Sequence, residues 1–193
     1  METTAAVQDG LRREFRADQL NVYVYESRPK MGQAAASVIA AEIRRAIQER
    51  GRAVVILASA PSQNEFLANL AEAPDIDWSR VIAFHLDEYL GMDDQAPQSF
   101  RRFLIDRLVN RVPLGQFNGL RGEAPDGAAE AKRYAELLEQ NPPDFAVLGI
   151  GENFGSPFDC SSSVGFEVTM ICGTAPGSNS GWPSEFLPSS GSY

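Results

Sequence analysis

Two adjacent carboxylates, Asp87 and Glu88, follow directly on the apolar run Val81-Ile82-Ala83-Phe84-His85-Leu86. Charge at the edge of a core needs a partner or a purpose. Like-charge crowding and partial burial raise the proton affinity of one member of such a pair, which suits it to act as a general base near neutral pH. Acids at a strand end also serve simply as a solvated turn, and the bare pattern leaves both readings open. His85 is the single histidine of the chain and stands two residues before Asp87, so both can share one face of the strand. A lone strand histidine is more often structural than catalytic. With one histidine and no cysteine beside it, a protein-built zinc site is not expected. No serine sits in a nucleophile elbow with a histidine partner.

Two further segments carry polar or glycine-rich chemistry at strand ends. Leu57-Ala58-Ser59-Ala60-Pro61-Ser62-Gln63 lies between an apolar strand and a helix. Free N–H groups at the helix start, its dipole and the hydroxyls of Ser59 and Ser62 would cradle a phosphate. The plainer reading makes Ser62 a helix N-cap and Ser59 a turn residue. Leu148-Gly149-Ile150-Gly151-Glu152-Asn153 places two glycines where backbone could approach a ligand closely, or where the chain merely turns.

The elements that must position these residues alternate regularly. Leu20–Tyr25 reads as a half-buried strand, and Ala34 to Arg50 repeats at helical spacing after Pro29, with Gly51 placed to end the helix. Ala53–Leu57 is a continuous apolar run of a strand covered on both faces. Ser62 to about Ala71 is a helix and Val81–Leu86 a second buried strand. Helices over Gln98–Asn110 and Gly127–Gln140 precede a last strand at Phe145–Ile150. This alternation predicts an α/β fold, a Rossmann-like doubly wound parallel sheet, with ligands at the carboxyl ends of its strands.

The totals constrain partners. A net charge of -9 argues against a nucleic-acid surface. No apolar run reaches the roughly 18–20 residues that span a bilayer. The N-terminus has no signal-peptide pattern, and Cys160 and Cys172 have no metal-ligand company. A cytoplasmic protein without membrane or nucleic-acid partners is expected, with a homo-oligomer left open. All 17 Lys and Arg residues precede residue 134. From Phe154 the chain turns Ser/Gly-rich, which predicts an irregular tail over 154–193 with one short strand near 166–171. The expected organisation is an N-terminal extension over 1–19, a truncated domain over 20–153 and that tail.

In this order the three segments resemble the glucosamine-6-phosphate deaminase family, which shares its fold with the 6-phosphogluconolactonases. Phe84-His85-Leu86-Asp87-Glu88-Tyr89-Leu90-Gly91 is similar to the family's F-x-x-D-E-Y-x-G, and Pro97-Gln98-Ser99-Phe100-Arg101-Arg102-Phe103-Leu104 to its P-x-S-[YF]-x-x-F-[LM]. Gly122-Glu123-Ala124-Pro125-Asp126 and Tyr134 also fall where the family places such residues. Lactonases usually carry D-E-R, so Tyr89 favours the deaminase side. The resemblance implies an amino-sugar-phosphate substrate, isomerised and stripped of ammonia without metal or organic cofactor. Asp87 would be the base that moves a proton between C2 and C1, with Glu88 beside it in the catalytic pair. Ser59, Ala60, Ser62, Tyr89, Gly149, Gly151 and Asn153 would contact substrate. Ala60-Pro61 stands where the family's phosphate loop has glycines.

After Asn153 the family continues G-H-[IL]-[AG]-F-N, whereas this chain reads Phe154-Gly155-Ser156-Pro157-Phe158. The expected ring-opening histidine is missing, as a frameshifted or truncated reading frame would leave it. Two alternatives to the deaminase therefore stand. One is a catalytically inactive sugar-phosphate-binding domain. The other is a lactonase-like hydrolase, which would release acid from a phosphosugar lactone and no ammonia.

Overall fold

The computed structural model describes residues 7–17, 20–149 and 169–173, the last stretch for its backbone. Its centre is a four-stranded parallel sheet in the order β5-β4-β3-β6, made of β3 (Ala53–Leu57), β4 (Val81–His85), β5 (Gln116–Asn118) and β6 (Phe145–Val147). β3 and β4 are the apolar runs, and their side chains alternate between two cores. Ala53, Val55, Leu57, Val81 and Ala83 face one apolar cluster, and Val54 and Phe84 the other.

Three helices cover the first face. α1 (Arg28–Arg50) carries Pro29 in its first turn, and α2 (Asn64–Ala71) packs tightly against it. A Cβ on Gly32 of α1 would lie 2.6 Å from Glu65 Cβ, so the two helices meet at a distance only glycine permits. α1 ends at Gly51, whose φ is 77° and whose N–H donates to Ile47 O at 2.8 Å. α3 (Phe100–Leu104) runs on into a π-helical turn, Ile105–Val109. α4 (Gly127–Gln140) covers the other face, and Asp126 caps it by accepting from Ala128 N and Ala129 N.

Helices on both faces of a parallel sheet are the expected architecture. Some details differ from expectation. Ser62 is no helix cap: it lies in a 3₁₀ turn, Pro61–Gln63, and α2 begins after that turn. The helix expected over Gln98–Asn110 starts after Ser99, and half of it is the π turn. β6 is shorter than its apolar run, and Ala146 is exposed.

A second sheet joins β1 (Leu11–Ala17), β2 (Leu20–Tyr25) and β7 (Thr169–Gly173) in the order β1-β2-β7. β1 pairs antiparallel with β2, so much of the segment read as an N-terminal extension is a strand. β7 lies parallel to β2, close to the short strand expected in the tail; the rest of 154–193 is outside the described residues. No helix among the described residues is long and apolar enough to cross a membrane.

Candidate active site

The strand order reverses at β3: the chain runs outward through β4 and β5, then returns with β6 on the other side. A reversal of this kind opens a crevice beyond the carboxyl ends of the two strands it separates. The loop after β3 and Gly149 after β6 meet there. A Cβ on Gly149 would lie 3.8 Å from Gln63 Nε2 and 4.0 Å from Ser62 Oγ. Ser62 is exposed at this edge and Gln63 is buried. Ser59 is buried, and its Oγ donates to Phe100 O at 3.0 Å. Pro61 offers no N–H and Gln63 N donates within the turn to Ala60 O, so the loop presents the exposed Ser62 hydroxyl rather than a ring of amides. The Arg28 guanidinium brings a cation to the same place, donating to Pro61 O at 2.9 Å and to Glu65 Oε2 at 2.8 Å.

The two adjacent carboxylates leave the next strand, β4, and part company. Asp87 is half-buried, and burial first, then the neighbouring Glu88 charge, raise its proton affinity above the usual carboxylate range. Glu88 turns instead to the start of α3. Its Oε2 accepts from Ser99 Oγ at 2.7 Å and Arg101 N at 2.9 Å, and its Oε1 accepts from Tyr89 N at 3.0 Å and Phe100 N at 3.2 Å. Tyr89 stays 47% exposed, its ring tilted by 38° against Phe100 with centroids 4.9 Å apart.

Below this pair His85 is fully buried, with its ring 6.1 Å from Phe117 and 6.4 Å from Tyr134. Neither ring nitrogen has a hydrogen-bond partner among the described residues. Burial lowers its pKa from 6.5 to about 4, so it is a neutral core residue at physiological pH. The Tyr134 hydroxyl locks the strand end from the other face, donating to His85 O at 2.6 Å with Asn118 O nearby at 3.3 Å.

A third loop seals the edge. Gly91 N donates to Gly122 O at 2.7 Å, and a Cβ on Gly122 would sit 2.5 Å from Tyr89 O and 3.0 Å from Glu88 Cγ.

The structure thus gathers Ser59, Ala60, Ser62, Asp87, Glu88, Tyr89 and Gly149 at one end of the parallel sheet. Gly151 and Asn153 lie outside the described residues. Arg28, Ser99 and Tyr134 were not singled out for these contacts; the N-cap position of Ser99, just before a helical pattern, is the signal that could have found it. No group of three or more His, Cys, Asp or Glu able to hold a metal occurs among the described residues.

The sequence profile of the family "Glucosamine-6-phosphate isomerases/6-phosphogluconolactonase" matches residues 26–158. The chain is 35% identical over 128 residues to a glucosamine-6-phosphate deaminase of Streptococcus pneumoniae, covering 63% of this chain and 54% of that protein. It is 36% identical over 130 residues to one of Streptococcus suis, covering 64% and 55%. Among solved structures, a 6-phosphogluconolactonase from Shewanella baltica superposes with a TM-score of 0.62 at 28% identity, covering 67% of this chain and 56% of that one. A monomeric glucosamine-6-phosphate deaminase gives 0.61 at 25% identity, covering 68% and 56%. The chain spans about half the length of the curated relatives it matches.

Proposed function

The chain belongs to the glucosamine-6-phosphate isomerase/6-phosphogluconolactonase family, and on that premise we propose that it carries the phosphate-holding and proton-carrying part of an amino-sugar-phosphate isomerase/deaminase site. The reading rests on Asp87, a half-buried carboxylate with raised proton affinity at the carboxyl end of a central parallel strand. Its carboxylate takes the proton from C2 of the open-chain sugar and returns it to C1, while a proton of the C2 amine passes to O1 through solvent. The C2 imine left by that transfer is hydrolysed by water to a ketose and ammonia, so glucosamine 6-phosphate gives fructose 6-phosphate. Ser62, with Arg28 behind it, holds the phosphate, Ser59 fixes the loop through its bond to Phe100 O, and Gly149 lets the backbone come close to the anion. Tyr89 after the acidic pair supports the deaminase over a lactonase-like hydrolase.

The test is proton NMR of the 193-residue chain with glucosamine 6-phosphate in D₂O, which follows loss of the C2 proton and growth of the ketose together. Asp87→Asn is expected to slow both by about 10²–10⁴-fold. An Asp87→Asn protein that exchanges C2 as fast as the parent would sink the assignment. A second reading, binding without turnover, is favoured by one observation: the sole histidine is fully buried and presents no imidazole to open the sugar ring. Calorimetric binding of glucosamine 6-phosphate, with neither exchange nor product, would select it.

A further inference from the structure

Phe100 is held from both sides by the two loops of the candidate site. Its N–H donates to Glu88, on the loop after β4, and its carbonyl accepts from Ser59, on the loop after β3. We infer that the first turn of α3 is a tie that fixes Asp87 relative to the anion-binding loop, with Ser99 and Glu88 as its positioning residues. Among the described residues no hydrogen bond holds the Asp87 carboxylate itself, so its place is inherited from the backbone on either side. On one side that backbone is β4, held at its end by Tyr134. On the other it is Glu88, whose two oxygens take four hydrogen bonds, three of them from Ser99, Phe100 and Arg101.

Ser99 completes the tie. It is 1% exposed, its Oγ proton goes to Glu88, and its oxygen accepts from Arg102 N at 3.1 Å as the cap of α3. One hydroxyl therefore anchors the carboxylate and starts the helix. Bonds of backbone N–H groups and a hydroxyl to a carboxylate at a helix start are charge-assisted and directional. Glu88 is held by them as a fixed charge beside Asp87. Of the charged and titratable groups near this loop, Glu88 beside it, His85 below and Arg101 on α3, it is Glu88 that acts on Asp87.

The inference rests on the reading of Asp87 as the base, but its test does not need turnover. The side-chain carboxyl carbon of Asp87 is followed by ¹³C NMR from about pH 3 to pH 8 in the full chain and in Glu88→Gln, Ser99→Ala and Ser99→Thr. The Asp87 midpoint is expected to fall toward the ordinary aspartate range in Glu88→Gln. Ser99→Ala should move it the same way, because a freed Glu88 hydrates and its field on Asp87 weakens. Ser99→Thr, which keeps the γ-hydroxyl, should restore it. Protection of the Phe100 and Arg101 amides against hydrogen exchange should fall about tenfold in Ser99→Ala and recover in Ser99→Thr. An unchanged Asp87 midpoint in folded Ser99→Ala overturns the tie. If Glu88→Gln does not fold, Ser99→Ala alone decides, since it removes a single oxygen. Failure of the base reading shows elsewhere, as C2 exchange that survives Asp87→Asn.

Discussion

The two faces of the parallel sheet are held by different means. Under α1, α2 and α3 lies a broad apolar cluster that includes Ile43, Leu57, Phe66, Leu67, Leu70, Trp78, Leu104 and Leu108. Under α4, among the described residues, only Val54, Phe84 and Tyr134 are buried together, and the Tyr134 hydroxyl lies within hydrogen-bond reach of two strand-end carbonyls. The broad face supplies area removed from water, which stabilises without direction. The narrow face supplies a directional contact at the end of β4, two residues from Asp87. The difference separates what keeps the domain folded from what fixes the strand end that carries Asp87.

The largest expected effect tests the broad face. Leu67 is fully buried, and Leu67→Ala should cost about 2–5 kcal/mol in urea unfolding. A loss below about 1 kcal/mol would mean that this face collapses to fill the space and is less rigidly packed than described. The next tests the junction of the faces, where His85 lies between Phe117 and Tyr134. Its folded pKa is lowered to about 4, so the unfolded chain takes up a proton that the folded one refuses. The His85 contribution is complete above about pH 6.5 and is lost as pH falls toward 4, by about 3 kcal/mol at most. Asp87, with its raised proton affinity, acts with the opposite sign as pH falls. The measurement is therefore the difference between the parent and His85→Phe: it should grow in the variant's favour from pH 7 to pH 4.5, and a constant difference would refute the buried neutral histidine. The smallest effect sharpens the narrow face. Tyr134→Phe should cost about 1–2 kcal/mol while leaving the ring packing intact. It should also broaden or move the His85 and Asp87 amide resonances, which Leu67→Ala should disturb less.

The periodic part of the fold was legible. The apolar runs at Ala53 and Val81 became β3 and β4, Gly51 ended α1 in the left-handed conformation, and α4 spans the residues expected. These signals are local, written in the residues that form them. Contacts between distant segments were not legible. β1 reads as an extension because its side chains are mostly exposed, so it lacks the buried face that marks a strand. Ser62 has the chemistry of a cap but follows Pro61 in a 3₁₀ turn, and turn geometry rather than residue type decided its role. Asp87 and Glu88 look alike in sequence. Their different orientations depend on Ser99 and Phe100, which the fold brings in from about a dozen residues away.

Gly122 has a consequence for anyone redesigning this protein. With Glu88, Tyr89 and Met92 all crowding the place where its side chain would be, the segment around Tyr89 and the segment around Gly122 are shaped to each other and cannot be exchanged singly. A loop graft at this edge would have to carry both segments together. A library that randomises position 122 while keeping the Tyr89 segment will spend most of its members on steric clashes.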